Sequence, residues 1–572
     1  MKKTIINIML AAMLPALFFA GTGCSRTVEV STPNPVIYGD VPDPDIIRVG
    51  DDYYMTSTTM HLLPGVPVMH STDLINWEIV SYIYDQLEDN DKASLLNGEH
   101  SYGGGSWASS IKYAGGQFHV CFVANEQHKS YIYHTSDLTS GEWTRSEFDL
   151  FFHDPALFED EDGSEWVVYG NGVLRITQLT DNFHAVKEDG IVDSVLLNLR
   201  SRELQLNAEG SHLYKRNGYY YLFDIDWPRG GIRREICNRS TNILGPYEQK
   251  TVLYTTLNEG KGGFSANGVA QGGIVDTPDG DWYAFLFQDH GPLGRCPVLV
   301  PMEWSEDGWP VMAGGEAAGA ATGKTYGMAK LPEVGVMPAE VTVKAKSVTV
   351  PNWFGDDEFE YETDKLALAW QWNHNPVAEG WSVTERPGWL RLKSVSLAPN
   401  ILRARNSPSQ RLPGPRCETE VLLDFSALQA GDRAGICAFQ SNYASVGIAV
   451  DENGAKHLSV LQRTGGGNKS LLGADDDGAE QMLDVPVPEG VTTVALKISY
   501  VFDPEDPADT KRDFARLAYS FSGNGDWTDC GIELRMRYTL DIFMGYRTFL
   551  YCYSTLATGG YADFDYYRVS VN

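Results

Sequence analysis

Residues Gly39–Met55 read GDVPDPDIIRVGDDYYM: two prolines and a crowd of carboxylates, a short apolar strand, a Gly-Asp-Asp turn and an aromatic return strand. Such a turn has the chemistry of a hairpin loop, which must tolerate positive φ. The same unit returns four more times, as SWASSIKYAGGQFHVCFV, DPALFEDEDGSEWVVYG, EGSHLYKRNGYYYLFDI and GGIVDTPDGDWYAFLF. The five begin at Asp43, Trp107, Asp154, Glu209 and Gly272, spaced 64, 47, 55 and 63 residues apart. A regular unit at irregular spacing is what a β-propeller with variable loops produces. Between the hairpins lie HSTDLINWEIV, HTSDLTSGEWTRS, ITQLTDNFHAV and RSTNILGPYEQ, which read as the outer strands of each blade. The fold class is therefore all-β, with a five-bladed propeller over residues 30–314. Innermost propeller strands converge on the central axis, so residues at the five hairpin starts should face one funnel.

After the fifth unit the chain turns small and flexible (AGGEAAGAATGKTYGMAKLPEVG), which marks residues 315–353 as a linker. From residue 354 to 572 apolar and polar residues alternate again, in WSVTERPGWLRLKS, CETEVLLDFS and YYRVSVN, as expected of a second all-β unit, a sandwich. Lys and Arg number 45 against 76 Asp and Glu, a net charge of −31 that opposes nucleic-acid binding and suits a neutral polar substrate. Residues 1–24 join two lysines to an apolar run and end in small residues before Cys24, which is an export signal rather than a membrane span. The segment resembles a bacterial lipoprotein signal, with Cys24 as the lipidated new N-terminus, although Gly21 stands where such signals usually carry Leu. It implies an exported bacterial lipoprotein of the periplasm or of the outer membrane or cell surface, attached to the membrane only through that lipid. The seven remaining cysteines show no CxxC pair or regular spacing and read as buried small hydrophobes.

Three inner strands open with an acid in a distinctive setting: Asp43 in PDPD, Asp154 in HDPA and Glu209 in AEGS. Carboxylates meeting in one funnel suit glycosidic bond hydrolysis, in which an ionised acid activates water and a protonated acid donates to the leaving oxygen. A third carboxylate beside the acid raises its pKa, because like charges resist ionising together. Neither a GxSxG elbow nor an HExxH helix occurs, and EDEDGSE and ADDDGAE lack full EF-hand spacing.

With these motifs in order, and with LGRCPVLVPMEWSEDGWPV, WQWNHNP and RPGWLRL after them, the chain resembles glycoside hydrolase family 43 with an appended concanavalin-like jelly roll. The resemblance implies Asp43 as general base, Glu209 as general acid and Asp154 as the group that tunes the acid. It further implies Trp107 and Arg295 as substrate-binding residues and an inverting single displacement. His61, in TTMHLLPGVPVMHS, falls where β-xylosidase relatives tend to place aromatics around the terminal sugar, and Gln271 falls where many members carry an axial histidine beside calcium. Both are taken as substrate-binding positions; the second substitution leaves a structural calcium at the axis an open question, and the chemistry requires no cofactor. The implied function is an exo-acting α-L-arabinofuranosidase or β-D-xylosidase acting on plant polysaccharides or oligosaccharides. A non-catalytic sugar-binding lipoprotein is the competing reading, disfavoured by retention of all three acids. A fructan-cleaving propeller would place cysteine beside the third acid, where Gly210 stands.

Overall fold

The computed structural model describes residues 27–257, 267–319, 333–503, 511–523 and 525–571. The 1–24 signal, with Cys24, lies outside the described residues.

Five antiparallel sheets form the blades, each starting with one of the hairpins read above. Their first strands are Asp45–Val49, Ser106–Ala114, Ala156–Glu159, Leu204–Arg216 and Ala270–Asp276. The tight turns obey their chemistry: Gly115 and Gly116, and Asn217 and Gly218, hold positive φ in pairs. The third and fifth turns are longer than a two-residue hairpin. Each closes as a five-residue loop, with Asp160 N bonding Ser164 O and Thr277 N bonding Asp281 O, both at 2.8 Å.

Both faces of each blade are apolar, since successive side chains on a strand point to opposite sides and each side meets a neighbouring blade. On the strand Tyr219–Pro228, Leu222 packs toward the third blade while Tyr221 and Phe223 pack toward the fifth. Five such clusters wedge the blades into a ring, each buried Leu, Ile, Val or Phe contributing roughly 1.5–3 kcal/mol.

Among the described residues no strand is shared between the first and last blades, so the ring closes through the approach segment. Ile37 N and Val41 N donate to Pro297 O and Arg295 O of the fifth blade, and Asn34 Nδ2 donates to Leu299 O. At the far end Arg48 grips Asp276 with two bonds of 3.0 and 2.7 Å. Closure thereby fixes the residues around Asp43 against the strand that carries Arg295.

The interval assigned to a linker needs correction. Glu340–Ala345 is a strand that pairs antiparallel with Val28–Pro33, and Ala318–Gly319 extends the fourth blade. Val341, Val343 and Ala345 turn inward from the first of these, the period-2 signal that the low-complexity run before it obscured.

The C-terminal unit is a sandwich of a seven-stranded and an eight-stranded sheet. Its larger sheet takes its edge strand, Leu62–Leu63, from the propeller, paired with Gln371–Asn373. A mixed apolar cluster seals that seam, with Leu62, Leu95 and Tyr102 set against Leu402, Phe439 and Phe549.

Candidate active site

At the mouth of the funnel the backbone repeatedly enters the left-handed region. Asp43 (φ 51°), Asp154 (φ 47°) and Gln271 (φ 61°) sit at the starts of three inner strands, and Gly210 (φ 69°) sits within a fourth. For a non-glycine residue this costs roughly 1–3 kcal/mol and persists where surroundings over-determine it, often at functional sites. Around Asp43 the constraint is visible: Pro42 O accepts from Ser57 Oγ at 2.6 Å, and Asp40 accepts from the backbone of Arg295 and of Gly545. At Gly210 a Cβ would stand 2.8 Å from the Gln271 side chain, which would have to shift, and the positive φ itself favours glycine. Register shifts flank Glu209 within its own strand, a bulge that re-aims the carboxylate into the funnel.

One pocket gathers Asp43, Trp107, Asp154, Glu209, Gln271 and Arg295, and adds Met60, His153, Arg233 and Phe543. The Arg295 guanidinium donates to Asp43 Oδ1 at 2.5 Å, while its Nε lies 3.3 Å from Asp289. Asp289 also accepts from Arg233 and from Asn267, so Asp43 stands at the end of a chain of alternating charges. Across the pocket His153 Nε2 lies 3.1 Å from Glu209 Oε2 and 3.8 Å from Asp154 Oδ1, and Asn171 donates to the same Glu209 oxygen.

Burial raises the Asp43 carboxyl above the ordinary carboxylate value, with Arg295 opposing it. Burial pushes Asp154 up to about 7 against the pull of His153, with Glu209 and Asp43 adding to the rise. For His153 burial works downward, but Asp154 and Glu209 outweigh it and hold the imidazole at about 9. Burial would raise Glu209 too, yet the hydrogen bond and charge of His153 and the Asn171 amide bring it below its usual value. The net shift of Glu209 is thus downward, opposite to the rise expected from a neighbouring third carboxylate. The cause is His153, a cation adjacent to Asp154 in sequence that the reading of the three acids did not include.

His61 is corrected as well. Its neighbour Met60 lines the acids' pocket, while His61 lines the adjoining cavity that Met60 also borders, its ring 4.8 Å from Tyr102 and 4.8 Å from His374. Burial there lowers its pKa to about 3. Gln271 does reach the pocket, while its backbone N donates to the buried Glu235. Among the described residues the one group of three ligand-type side chains is His153, Asp154 and Glu209, with donor atoms within 4.8 Å of each other. A cation held there would take the lone pairs that a donor proton must occupy, and it would lack the oxygen-rich cage calcium prefers.

The sandwich does more than buttress the propeller. Phe543, from the loop before Arg547–Ser554, meets Trp107 edge to face at 5.6 Å and lies 5.1 Å from the Arg295 guanidinium. No local signal marks it, because its place in the pocket depends on contacts across both domains. Phe543→Ala should keep the fold and lower kcat/KM about 10- to 100-fold by admitting water around the acids, the loss of a water-excluding wall weakening each charge interaction inside. Steady-state kinetics beside a melting curve checks this.

A family model described as "Glycosyl hydrolases family 43" matches residues 32–310, and one described as "Beta xylosidase C-terminal Concanavalin A-like domain" matches residues 356–570. A β-xylosidase of Formosa agariphila is 30% identical over 482 residues, covering 76% of this chain and 77% of its own. A non-reducing end α-L-arabinofuranosidase of Bacteroides ovatus is 27% identical over 449 residues, covering 75% and 78%. Among solved structures, a bifunctional GH43-CE protein of Bacteroides eggerthii superposes with a TM-score of 0.81 at 37% identity. That match covers 95% of this chain but 64% of the other, so the chain spans less than two thirds of that longer protein.

Proposed function

The chain belongs to glycosyl hydrolase family 43, and on that footing we propose that it is an exo-acting, inverting glycosidase that removes terminal α-L-arabinofuranosyl or β-D-xylosyl residues from plant cell-wall polysaccharides or their oligosaccharides. The observation that carries this reading is the convergence of Asp43, Asp154 and Glu209 in one pocket with Arg295, Trp107 and Phe543. Relatives named for both sugars support leaving the two pentoses together.

In the proposed cycle Asp43, held by Arg295, takes a proton from water as the water attacks the anomeric carbon. Glu209 gives a proton to the leaving oxygen on the opposite side of the sugar. In the resting site that proton sits chiefly on the His153 imidazole, hydrogen-bonded to Glu209 at 3.1 Å. Once it has passed through Glu209 to the leaving group, the imidazole is left neutral until solvent recharges it. Asp154, beside both, biases the proton toward the pair.

Hydrolysis of aryl α-L-arabinofuranoside and aryl β-D-xyloside, followed by proton NMR of the released sugar, tests the reading. The expected first product has the anomeric configuration opposite to that of the substrate. Retained configuration, or no cleavage of either aryl glycoside and of arabinoxylan, arabinan or xyloglucan fragments, would overturn it. We also propose that Cys24 carries the lipid anchor that its signal-like surroundings suggest; radiolabelled palmitate incorporation lost in Cys24→Ala is the expected result.

A further inference from the structure

The inner strands run from the acids at one end of the propeller to their hairpin turns at the other. At that far end two contiguous depressions of about 260 and 570 Å³ share Arg216, Trp282 and Trp304. The two indoles meet at 89° with centroids 5.5 Å apart, and the Arg216 guanidinium stands 4.5 Å from the Trp304 ring. Trp282 is half-buried and carries no other ring or cation among the described residues, while Asp281 and Glu303 beside it are exposed. Arg216, Asp281 and Glu303 have no ion-pair partner among the described residues, although the groove brings them around the same indole.

We propose that this groove is a second carbohydrate-binding site, which holds a neutral stretch of the polysaccharide away from the catalytic pocket. A sugar ring offers an apolar face of C–H groups and a rim of hydroxyls. Trp282 supplies the flat apolar platform, Asp281 and Glu303 accept hydroxyl protons, and Arg216 donates. Two carboxylates against one guanidinium, on a chain of net charge −31, disfavour an anionic ligand. The strand from Glu209 to Arg216 alone spans roughly 23 Å, so a chain bound in the groove does not touch the acids. Its effect is to keep the enzyme on the polymer and raise the local concentration of chain ends. The identity of the ligand rests on the proposed function; its chemical class rests on the groove.

Native affinity electrophoresis of the Asp43→Ala protein in gels containing soluble arabinoxylan separates the two readings. Retardation is expected, and Trp282→Ala or the exposed pair Asp281→Ala with Glu303→Ala, built on that background, should lose at least half of it. In the active enzyme the same changes should leave kcat/KM on an aryl pentoside within twofold and lower the rate on arabinoxylan about fivefold. The exposed pair keeps the test valid if Trp282→Ala does not fold. Retardation unchanged by the variants, or absent with arabinoxylan, arabinan and xyloglucan alike, would overturn the site. An enzyme that cleaves aryl pentosides but is not retarded refutes the groove alone. Variant-sensitive retardation without pentoside cleavage refutes the pentosidase reading alone.

Discussion

Asp43→Asn is expected to lower kcat/KM by about 10²- to 10⁴-fold, the range that a positioned general base contributes. The amide can keep the left-handed backbone, for which Asn is well suited, so folding should survive. The loss should be equal for activated aryl glycosides and for natural linkages, because activating water is needed whatever the leaving group. Circular dichroism and thermal melting separate this from collapse of the pocket: the buried Arg295 loses one partner but keeps Asp289 at 3.3 Å. A variant that retains near-normal turnover on arabino- or xylo-oligosaccharides would remove Asp43 from the chemistry.

Glu209→Gln should behave differently. Hydrolysis of a substrate with a poor leaving group is expected to fall about 10²- to 10⁴-fold, while one with an acidic phenol as leaving group should retain most of its rate, since that phenolate departs without a donated proton. The pH profile extends the test. Activity needs Asp43 ionised, and burial raises that group, so the acid limb should lie above the ordinary carboxylate value of 3.8. Activity also needs the proton that His153 holds beside Glu209. That proton is present below, and lost above, the pKa of about 9 that Asp154 and Glu209 impose on the buried imidazole. His153→Asn leaves Glu209 as the sole holder, and the alkaline limb of kcat/KM should fall by a unit or more toward neutrality. Other charged groups facing the pair are Asp154, which itself titrates at about 7, with Asp43 and Arg295 across the pocket. A purely structural role for His153 would lower the rate without moving the limb.

The fold was legible because its signals are local. Asn217-Gly218 and Gly115-Gly116 announce turns, and the apolar runs between them announce strands buried on both faces. The acids were legible because they recur at one position of a repeat. Of the crowd in GDVPDPDIIRVGDDYYM, Asp43 alone lines the pocket; Asp40 ties the first blade to Arg295 and Gly545, Asp45 accepts from Ile46 and Ile111, Asp52 meets His70 and Asp51 meets Lys346. What could not be read was parity and distance. Met60 and His61 are adjacent, yet Met60 reaches both the acids' pocket and the seam cavity while His61 reaches the seam cavity and not the acids. Asp43 and Asp154 each precede a proline, a position biased toward extended backbone, and tertiary contacts instead hold both at positive φ. Asn171 lies 38 residues from Glu209 and Phe543 lies in another domain, so each joins the pocket only through the folded whole.

The strand Leu62–Leu63, lent by the first blade to the sheet of the sandwich, bears on how such enzymes can be recombined. Propeller and jelly roll look like interchangeable modules when drawn along the chain, but a sheet edge and an aromatic wall cross the boundary between them. A foreign sandwich would have to supply both a register for Leu62–Leu63 and an aromatic at the place of Phe543. The smallest transplantable part of this protein is therefore the pair of domains, inherited and exchanged together.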